Sequence, residues 1–282
     1  MQYLNLGCGD RYHPDWTNIN FISTGEGVIA HNLKQGIPFP DESFDVVYHS
    51  HVLEHFSKKE AEPFIKECYR VLRPQGVLRV VVPDLEEIVR MYLHSLDKVS
   101  DGLSEWADNY DWMLLEMYDQ TVRNQSGGEM SNFLAQPNIS NQDFVIKRCG
   151  VEIKNIIAAQ KTTHVTKSVP TSNLKKLLQH IYRLLRYGDY RYQAIVKLIL
   201  KPPDLEALRT GQFRQSGEVH QWMYDRYSLG KILQQMGFTE IIQRQADVSY
   251  ISNWSDFNLD TEPDRTVYKP DSLYIEAIKK IR

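Results

Sequence analysis

The chain has few cysteines, no long apolar run and no excess of positive charge. Its cysteines, Cys8, Cys68 and Cys149, form no C-x-x-C pair, which argues against a disulfide framework and against a cysteine zinc site. No apolar stretch reaches the roughly 20 residues of a membrane-spanning helix, and the first strand pattern begins at Tyr3, without a preceding signal segment. The formal net charge of −3 argues against nucleic acid as the main partner. We therefore expect a cytoplasmic protein.

The most regular pattern in the chain runs from Gln2 to Asp84 and consists of short apolar strands separated by turns. The clearest strand segments are YLNLGCG from Tyr3, FDVVYHSHVLEHF from Phe44 and VLRVVVPD from Val77. Short apolar runs closed by glycine or polar residues are typical of buried parallel strands. The segment therefore predicts an α/β fold with a ligand site along the carboxyl edge of its sheet.

Capping signals mark the helices around these strands. Ser57 followed by Glu60 predicts a helix that ends at VLRPQG, and Asp84 followed by Glu87 predicts a second helix directly after a strand. Near the C-terminus, DRYSLGKILQQMGF predicts a further helix. The strand-like segments FTEIIQ and SLYIEAIK follow it, and we expect them to pair antiparallel at the sheet edge.

The turn after the first strand contains Gly7 and Gly9 but lacks the third glycine of a dinucleotide fingerprint. Only Asp10 to Asp15 separates this turn from the next strand, whereas a parallel crossover usually needs about a dozen residues. We therefore expect the first helix to be a stub or absent. A pyrophosphate bound at that helix N-terminus is disfavoured.

Four motifs follow one another in the first third of the chain: LNLGCG, PFPDESFDVVYHSHVLEHF, YRVLRPQG and LRVVVPD. Together they resemble the class I S-adenosylmethionine-dependent methyltransferases, most closely the type 11 subgroup with its bacterial members. The resemblance is close from Tyr3 to about Leu93 and loose from His220 to Lys280. It implies a Rossmann-like doubly wound sheet with a mainly helical insertion, S-adenosylmethionine as the cofactor, and methyl transfer as the reaction.

The resemblance and the looser pattern of the middle region divide the chain into three predicted parts. Residues 1–96 would form the N-terminal part of the Rossmann-like cofactor-binding core. Residues 97–219 would form an inserted helical cap that selects the acceptor, and residues 220–282 would complete the core with a helix and strands.

The resemblance also implies a cofactor site at the ends of the first four strands. The expected cofactor-binding residues are Leu6, Gly7, Cys8, Gly9, Asn20, Phe21, Asn32, Leu33, His49 and Ser50. Asn20 would face the ribose and Asn32 would lie by the adenine, at positions where this family commonly has a carboxylate. An amide binds a ribose diol less strongly than a carboxylate does. Two alternatives therefore stay open: a catalytically silent binding protein with this fold, and a nucleotide-dependent enzyme using the same glycine turn.

Histidine is concentrated after the fourth strand, at His49, His51 and His55, with Glu54 among them. The spacing H-x-H-x-x-E-H is similar to metal-ligand spacing, but the sequence has no matching distant ligand set, and we predict no metal site. His51 and His55 are the candidate catalytic residues, as a base or an orienting group beside the acceptor, because histidine titrates near neutral pH. The alternative is that these imidazoles only satisfy backbone groups at the strand end.

Further acceptor-site candidates lie in and after the insertion. They are Glu116, Tyr118, Asp119, His220 and Tyr224. For the first three we favour a structural interpretation, in which Leu114, Leu115 and Tyr118 form a buried helical stripe. Glu116 and Asp119 would then be solvated on the opposite face.

Residues 172–201 combine leucine and isoleucine at helical spacing with many lysines and arginines, which predicts a basic amphipathic helix. Packing over the sheet or a homodimer contact is the first interpretation of this helix. Peripheral contact with an anionic membrane, or with a lipid-linked substrate, is the alternative. The acceptor stays open among small molecules, glycans and lipid-linked substrates.

Overall fold

The computed structural model describes residues 1–163, 182–183 and 186–281. The strands are β1 Tyr3–Leu6, β2 Thr17–Asn20, β3 Val28–Ala30, β4 Phe44–Ser50, β5 Leu72–Pro83, β6 Phe238–Arg244 and β7 Ser272–Lys279. The α-helices are α1 Lys58–Val71, α2 Leu85–Ser100, α3 Ala107–Val122, α4 Gly128–Leu134, α5 Gln142–Thr163, α6 Gly188–Ile199, α7 Pro202–Arg214 and α8 Arg226–Gln235. Among these helices, none combines the length and the apolar content needed to cross a membrane.

The strands form one sheet in the order β3-β2-β1-β4-β5-β7-β6. The first five strands pair in parallel, and β7 lies antiparallel between β5 and β6. This topology confirms the predicted Rossmann-like doubly wound fold and the antiparallel pairing of the last two strands. The strand order reverses between β1 and β4, so the loops after these two strands diverge. Such a switch point leaves a crevice at the carboxyl edge of the sheet, where ligands bind in folds of this kind.

The predicted helix starts on either side of β5 are confirmed. The Ser57 hydroxyl accepts the backbone N–H of Glu60, and the Glu60 carboxylate accepts the backbone N–H of Ser57. Asp84 accepts the backbone N–H groups of Glu86 and Glu87 at the start of α2. These bonds satisfy donors that a helix N-terminus otherwise leaves without partners.

The predicted end of α1 at VLRPQG is confirmed, but the predicted start of the next strand was wrong. The helix ends at Val71, and β5 begins at Leu72 instead of Val77. The reason is tertiary, since Leu72 already pairs with Phe44 of β4 across a register shift. The turn residues Pro74 and Gly76 therefore lie within the first part of β5 and not at the end of the helix.

The connection between β1 and β2 contains no helix, as the sequence predicts. Gly7 and Gly9 both have left-handed backbone conformations, with φ of 66° and 52°. A Cβ at Gly7 would collide with the Val52 side chain, so this position requires glycine. On the adjacent sheet face, Trp16 packs against Trp254 in an aromatic cluster, with ring centroids 6.1 Å apart. The loop between β6 and β7, which contains Trp254, covers this face.

Helices α2 to α5 pack beside the sheet around an apolar cluster of their own side chains. The predicted orientation of α3 in this cluster was wrong. Trp112, Met113, Glu116 and Asp119 are buried, whereas Tyr118 is 56% exposed. The buried face of α3 therefore contains the carboxylates of Glu116 and Asp119, which were predicted to be solvated.

Partners from other helices explain this burial. Arg148 of α5 pairs with Glu116 at 2.8 Å, and the indole N–H of Trp112 donates to the same carboxylate. Asp119 accepts backbone N–H groups of Glu129 and Met130 at the start of α4. Buried carboxylates are tolerated when they are paired or hydrogen-bonded in this way.

The three-part division of the chain stays a prediction. Its first boundary, between residues 96 and 97, falls within α2. Its second boundary, between residues 219 and 220, falls between α7 and α8. The predicted amphipathic helix over 172–201 lies partly outside the described residues, and α6 is a described part of it.

Arg79 of β5 is fully buried and joins the sheet to the loop between β6 and β7. Its Nε lies 2.9 Å from Asp260 of that loop, and its Nη1 lies 2.9 Å from Glu276 of β7. The guanidinium also donates to three loop carbonyls and lies over the Trp254 ring at 4.5 Å. Charge-assisted bonds of this kind fix the loop on the sheet.

We expect Arg79→Met to lower the free energy of unfolding by about 3 to 5 kcal/mol, because Asp260 would stay buried without its cation. The matched control is Arg90→Met. Arg90 forms an exposed pair with Glu86 at 2.8 Å, so its loss should leave the free energy of unfolding nearly unchanged. Urea denaturation followed by circular dichroism measures both changes. Equal, small losses in the two variants would contradict the stated role of Arg79.

Candidate active site

Three cavities adjoin the carboxyl edge of the sheet. The edge cavity, of about 390 Å³, lies beside the ends of β2 and β3. The loop cavity, of about 320 Å³, lies between the β1–β2 connection and the loop from β6 to β7. The cap cavity, of about 430 Å³, lies between the sheet edge and helices α3 to α5. The predicted site residues can be placed with respect to these three spaces.

Most of the predicted cofactor-binding residues line the first two cavities. The edge cavity is lined by Gly7, Asn20, Phe21, Asn32 and Leu33. The loop cavity is lined by Gly7, Cys8, Gly9 and Ser50. Burial raises the pKa of the Cys8 thiol to about 11, so this thiol is protonated at neutral pH and is a poor nucleophile. Gly7 lines both cavities.

Asn20 and Asn32 lie at the same cavity, at the end of β2 and just after β3. The Asn32 side-chain oxygen accepts the backbone N–H of Lys34 at 3.0 Å and caps the short turn Leu33–Gln35. The backbone carbonyl of Asn20 accepts the N–H of His31 at 2.8 Å. The Asn32 side chain therefore has a local structural role in addition to its position at the cavity.

Leu6 and His49 lie away from the three cavities. They are neighbours in the β1–β4 pairing and both are fully buried. The His49 ring packs against Phe64 of α1 at 5.1 Å, and burial lowers the pKa of His49 to about 4. Because alternate strand residues face opposite sides of a sheet, these two side chains belong to the core beneath α1.

His51 lines all three cavities. Its backbone is left-handed, with φ of 53°, a conformation that is uncommon outside glycine and concentrated at functional sites. Its Nδ1 lies 3.1 Å from Glu54 Oε1, and its Nε2 lies 2.9 Å from the hydroxyl of Ser272. The carboxylate on one side and the hydroxyl on the other fix the plane of the imidazole.

Glu54, His55 and His220 form a buried cluster next to His51. One ligand atom of each residue lies within 4.8 Å of those of the other two. The rings of His55 and His220 meet edge to face, with centroids 4.9 Å apart. Backbone bonds hold the segments together, since the N–H groups of Gln221 and Trp222 donate to the carbonyl of Glu54. From the sequence, His55 and His220 are separate candidates, and Glu54 is notable only within the H-x-H-x-x-E-H spacing.

Charge in this cluster is set by burial and by His51. Burial lowers the pKa of His220 to about 3 and also lowers the pKa of His55, so both imidazoles are neutral near pH 7. Burial alone would raise the pKa of Glu54, but the hydrogen bond from His51 and the neighbouring imidazoles outweigh it and hold that pKa well below its usual range. Glu54 is thus a buried carboxylate beside His51, the residue that lines all three cavities.

The cap cavity contains a second group of buried titratable residues, Glu116, Cys149 and Asp271. Burial raises the pKa of Glu116 to about 7, against the opposing effect of Arg148. Burial also raises the pKa of Asp271. Arg123 and Lys269 add positive charge to the same cavity, and Ile88, Met130 and Leu134 add apolar surface. An acceptor bound here would contact both polar and apolar side chains.

Comparison with known proteins assigns the first part of the sheet to a family. Residues 4–80 match the family model described as a methyltransferase domain. Residues 4–80 of this chain are similar to methyltransferase domains of type 11. The matched residues run from β1 into β5 and include the glycine turn and the Glu54–His55 segment. The match confirms the resemblance seen in the four sequence motifs.

Curated relatives agree with this assignment. A probable S-adenosylmethionine-dependent methyltransferase from Mycolicibacterium smegmatis is 33% identical over 98 residues, which cover 29% of this chain and 37% of the relative. A ubiquinone/menaquinone biosynthesis C-methyltransferase from Escherichia fergusonii is 31% identical over 103 residues, covering 34% of this chain and 39% of the relative. The chain thus spans little more than a third of the length of the curated relatives it matches. The family implies S-adenosylmethionine as the cofactor.

Solved structures give a weaker likeness over a longer stretch. The match to a structure of an S-adenosylmethionine-dependent methyltransferase from Archaeoglobus fulgidus covers 99% of this chain and 86% of that protein's chain. It has 13% sequence identity and a TM-score of 0.38. The strand order of this chain, and not this likeness, identifies its fold.

We expect Asn20→Asp to tighten S-adenosylmethionine binding about fivefold to tenfold, because a carboxylate accepts charge-assisted hydrogen bonds from a ribose diol. Asn132→Asp, on the exposed side of α4, adds the same charge away from the cavities and should leave affinity unchanged. Calorimetric titration of the purified variants measures both affinities. An unchanged affinity in Asn20→Asp would refute the placement of this residue against the ribose.

Proposed function

We propose that this protein transfers the methyl group of S-adenosylmethionine to an acceptor bound in the cap cavity. The observation on which this proposal depends is the meeting of the three cavities at His51. The adenosine would occupy the edge cavity and the methionine would lie along the glycine turn, by Cys8, Gly9 and Ser50. The sulfonium would then face the cap cavity. This arrangement brings two reactants into line, which is the main requirement of methyl transfer.

The acceptor's proton would go to His51. Glu54 lies at Nδ1 and selects the tautomer with the proton on that nitrogen, which leaves a lone pair on Nε2. In this structure Nε2 faces the hydroxyl of Ser272, and an acceptor hydroxyl would take that place. As the methyl–sulfur bond breaks, the acceptor oxygen bonds to the methyl carbon, the sulfur becomes a neutral thioether and the proton moves to Nε2.

The inserted helical cap would select the acceptor, which would be a small molecule, a glycan or a lipid-linked substrate. The cap cavity combines carboxylates, cations and apolar side chains, as an acceptor with both polar and apolar parts requires. The catalytically silent alternative differs in one observable respect, because such a protein would bind the cofactor and transfer nothing.

We expect His51→Asn to reduce methyl transfer by about 10²-fold to 10⁴-fold, because it removes the proton acceptor. Asparagine tolerates the left-handed backbone of this position, so the turn should be preserved. Transfer of a radiolabelled methyl group from S-adenosylmethionine to fractionated small-molecule, glycan and lipid extracts measures the effect. His94→Asn on exposed α2 is the control and should retain activity. Undiminished transfer by His51→Asn would exclude His51 as the base.

A lipid-linked acceptor is supported by the exposed surface of α6. Leu198 is 87% exposed and Ile199 is 73% exposed, and Lys197 and Lys201 lie beside them. Apolar side chains flanked by lysine are typical of helices that lie in the interface of an anionic membrane. We therefore propose that this helix contacts anionic lipid.

Flotation with phosphatidylglycerol vesicles at low salt tests this contact. We expect binding to weaken about tenfold or more in a Lys197→Glu, Lys201→Glu double variant, since each basic residue near such a surface contributes about 1 kcal/mol. Lys231→Glu on α8 is the matched control and should bind as the unmodified protein does. Absence of any salt-sensitive binding by the unmodified protein would end the membrane proposal.

A further inference from the structure

The buried cluster of Glu54, His55 and His220 has polar atoms that the described part of the chain leaves without partners. Glu54 is 0% exposed; its Oε1 lies 3.1 Å from His51 Nδ1, and its Oε2 has no hydrogen-bond partner among the described residues. His220 is 6% exposed, and its Nδ1 likewise has no partner among them. Leaving buried polar atoms unpaired is costly, so such a group calls for an explanation.

The chemistry of these atoms indicates what is required. A carboxylate offers only lone pairs, and a neutral imidazole offers one lone pair and one N–H. His55 Nδ1 lies 3.4 Å from the carbonyl of Val219, and an N–H donated to that carbonyl leaves Nε2 as the lone-pair nitrogen. One possible ligand atom of each of the three residues lies within 4.8 Å of the others, and a cation between them would be bound by the carboxylate charge and the imidazole lone pairs.

We propose that Glu54, His55 and His220 bind a divalent transition-metal ion, with Zn²⁺ as the best match to two imidazoles and one carboxylate. Three protein ligands of this kind plus one open position are the pattern of catalytic zinc sites. Ligand atoms around tetrahedral zinc lie about 3.4 Å apart, and those of the three residues lie within 4.8 Å of one another, so zinc binding would need only a small inward movement of the side chains. The Val219 carbonyl and His51 are the outer partners that orient His55 and Glu54.

The other cluster in the same cavity, Glu116, Cys149 and Asp271, is a weaker candidate. Its Glu116 carboxylate is already paired with Arg148 at 2.8 Å and accepts the indole N–H of Trp112. A cation there would have to compete with a buried guanidinium. Among the described residues no guanidinium is paired with the histidine cluster, although the charge of Arg123 acts on His55 and His220 and lowers their pKa.

The position of the site has a consequence that rests on the proposed function. His55 and His220 both line the cap cavity, so the open position of the metal would face the acceptor. A metal-bound hydroxyl loses its proton more readily than a free one, which favours an acceptor that coordinates through oxygen. Metal binding itself requires neither cofactor nor acceptor and can be tested without them.

Calorimetric titration of chelator-treated full-length protein with ZnCl₂ is the direct test, with CoCl₂ absorption spectra to report the ligand geometry. We expect one equivalent of Zn²⁺ to bind and to raise the melting temperature. His220→Ala and Glu54→Gln should each weaken binding by about 100-fold or more. His94→Ala, which removes an exposed histidine on α2, should bind as the unmodified protein does.

Three results would overturn the site. The first is the absence of stoichiometric Zn²⁺ binding by the unmodified protein, and the second is unchanged affinity in both His220→Ala and Glu54→Gln. The third is loss of binding in Cys149→Ser with retention in His220→Ala, which would move the metal to the other cluster. Circular dichroism of each variant verifies folding. His220→Asn is used if His220→Ala fails to fold. Calorimetry with S-adenosylmethionine, in the presence of chelator, separates failure of this site from failure of the cofactor site.

Discussion

Arg79 lies buried beneath the loop between β6 and β7 and pairs with Asp260 of that loop and with Glu276 of β7. The loop has this importance because no helix connects β1 to β2, so another segment must cover the adjacent face of the sheet. Trp254 packs on that face, and the Arg79 guanidinium holds the loop that carries Trp254 in place. The same loop then supplies Asp260 and Lys269 to the loop cavity, and Asp271 follows at the cap cavity.

The geometry of the sheet edge brings the chemistry together. Parallel strands end at one edge, and the switch between β1 and β4 opens a crevice there. His51 directly follows β4, and its left-handed backbone changes the direction of the chain at the carboxyl edge of the sheet. Glu54 and His55 follow within one short turn, so a single strand end supplies the candidate base, its carboxylate partner and two of the proposed metal ligands. His220 reaches the cluster from the start of the C-terminal part of the chain.

Local signals in the sequence were sufficient for much of this fold. The capping bonds of Ser57 and Asp84 involve neighbours two or three residues away, and the missing first helix follows from the short spacing between Gly9 and β2. The early start of β5 could not be seen, because it depends on pairing between Leu72 and β4.

The burial of Glu116 was missed for the same reason, since its partner Arg148 lies on another helix. The helical pattern of α3 showed which residues share a face but gave no information about a cation contributed from elsewhere. The cluster of His55 with His220 likewise depends on the fold, because the two residues are far apart in sequence. Strand alternation, by contrast, accounts for the inward position of His49 once the β1–β4 register is known.

Calorimetric titration of the unmodified protein with S-adenosylmethionine, S-adenosylhomocysteine and NAD tests the central claim most directly. The account predicts that both adenosyl ligands bind at one shared site and that NAD does not bind. Binding of NAD without either adenosyl ligand would contradict the account and favour a nucleotide-dependent enzyme. Absence of affinity for both adenosyl ligands would equally contradict it.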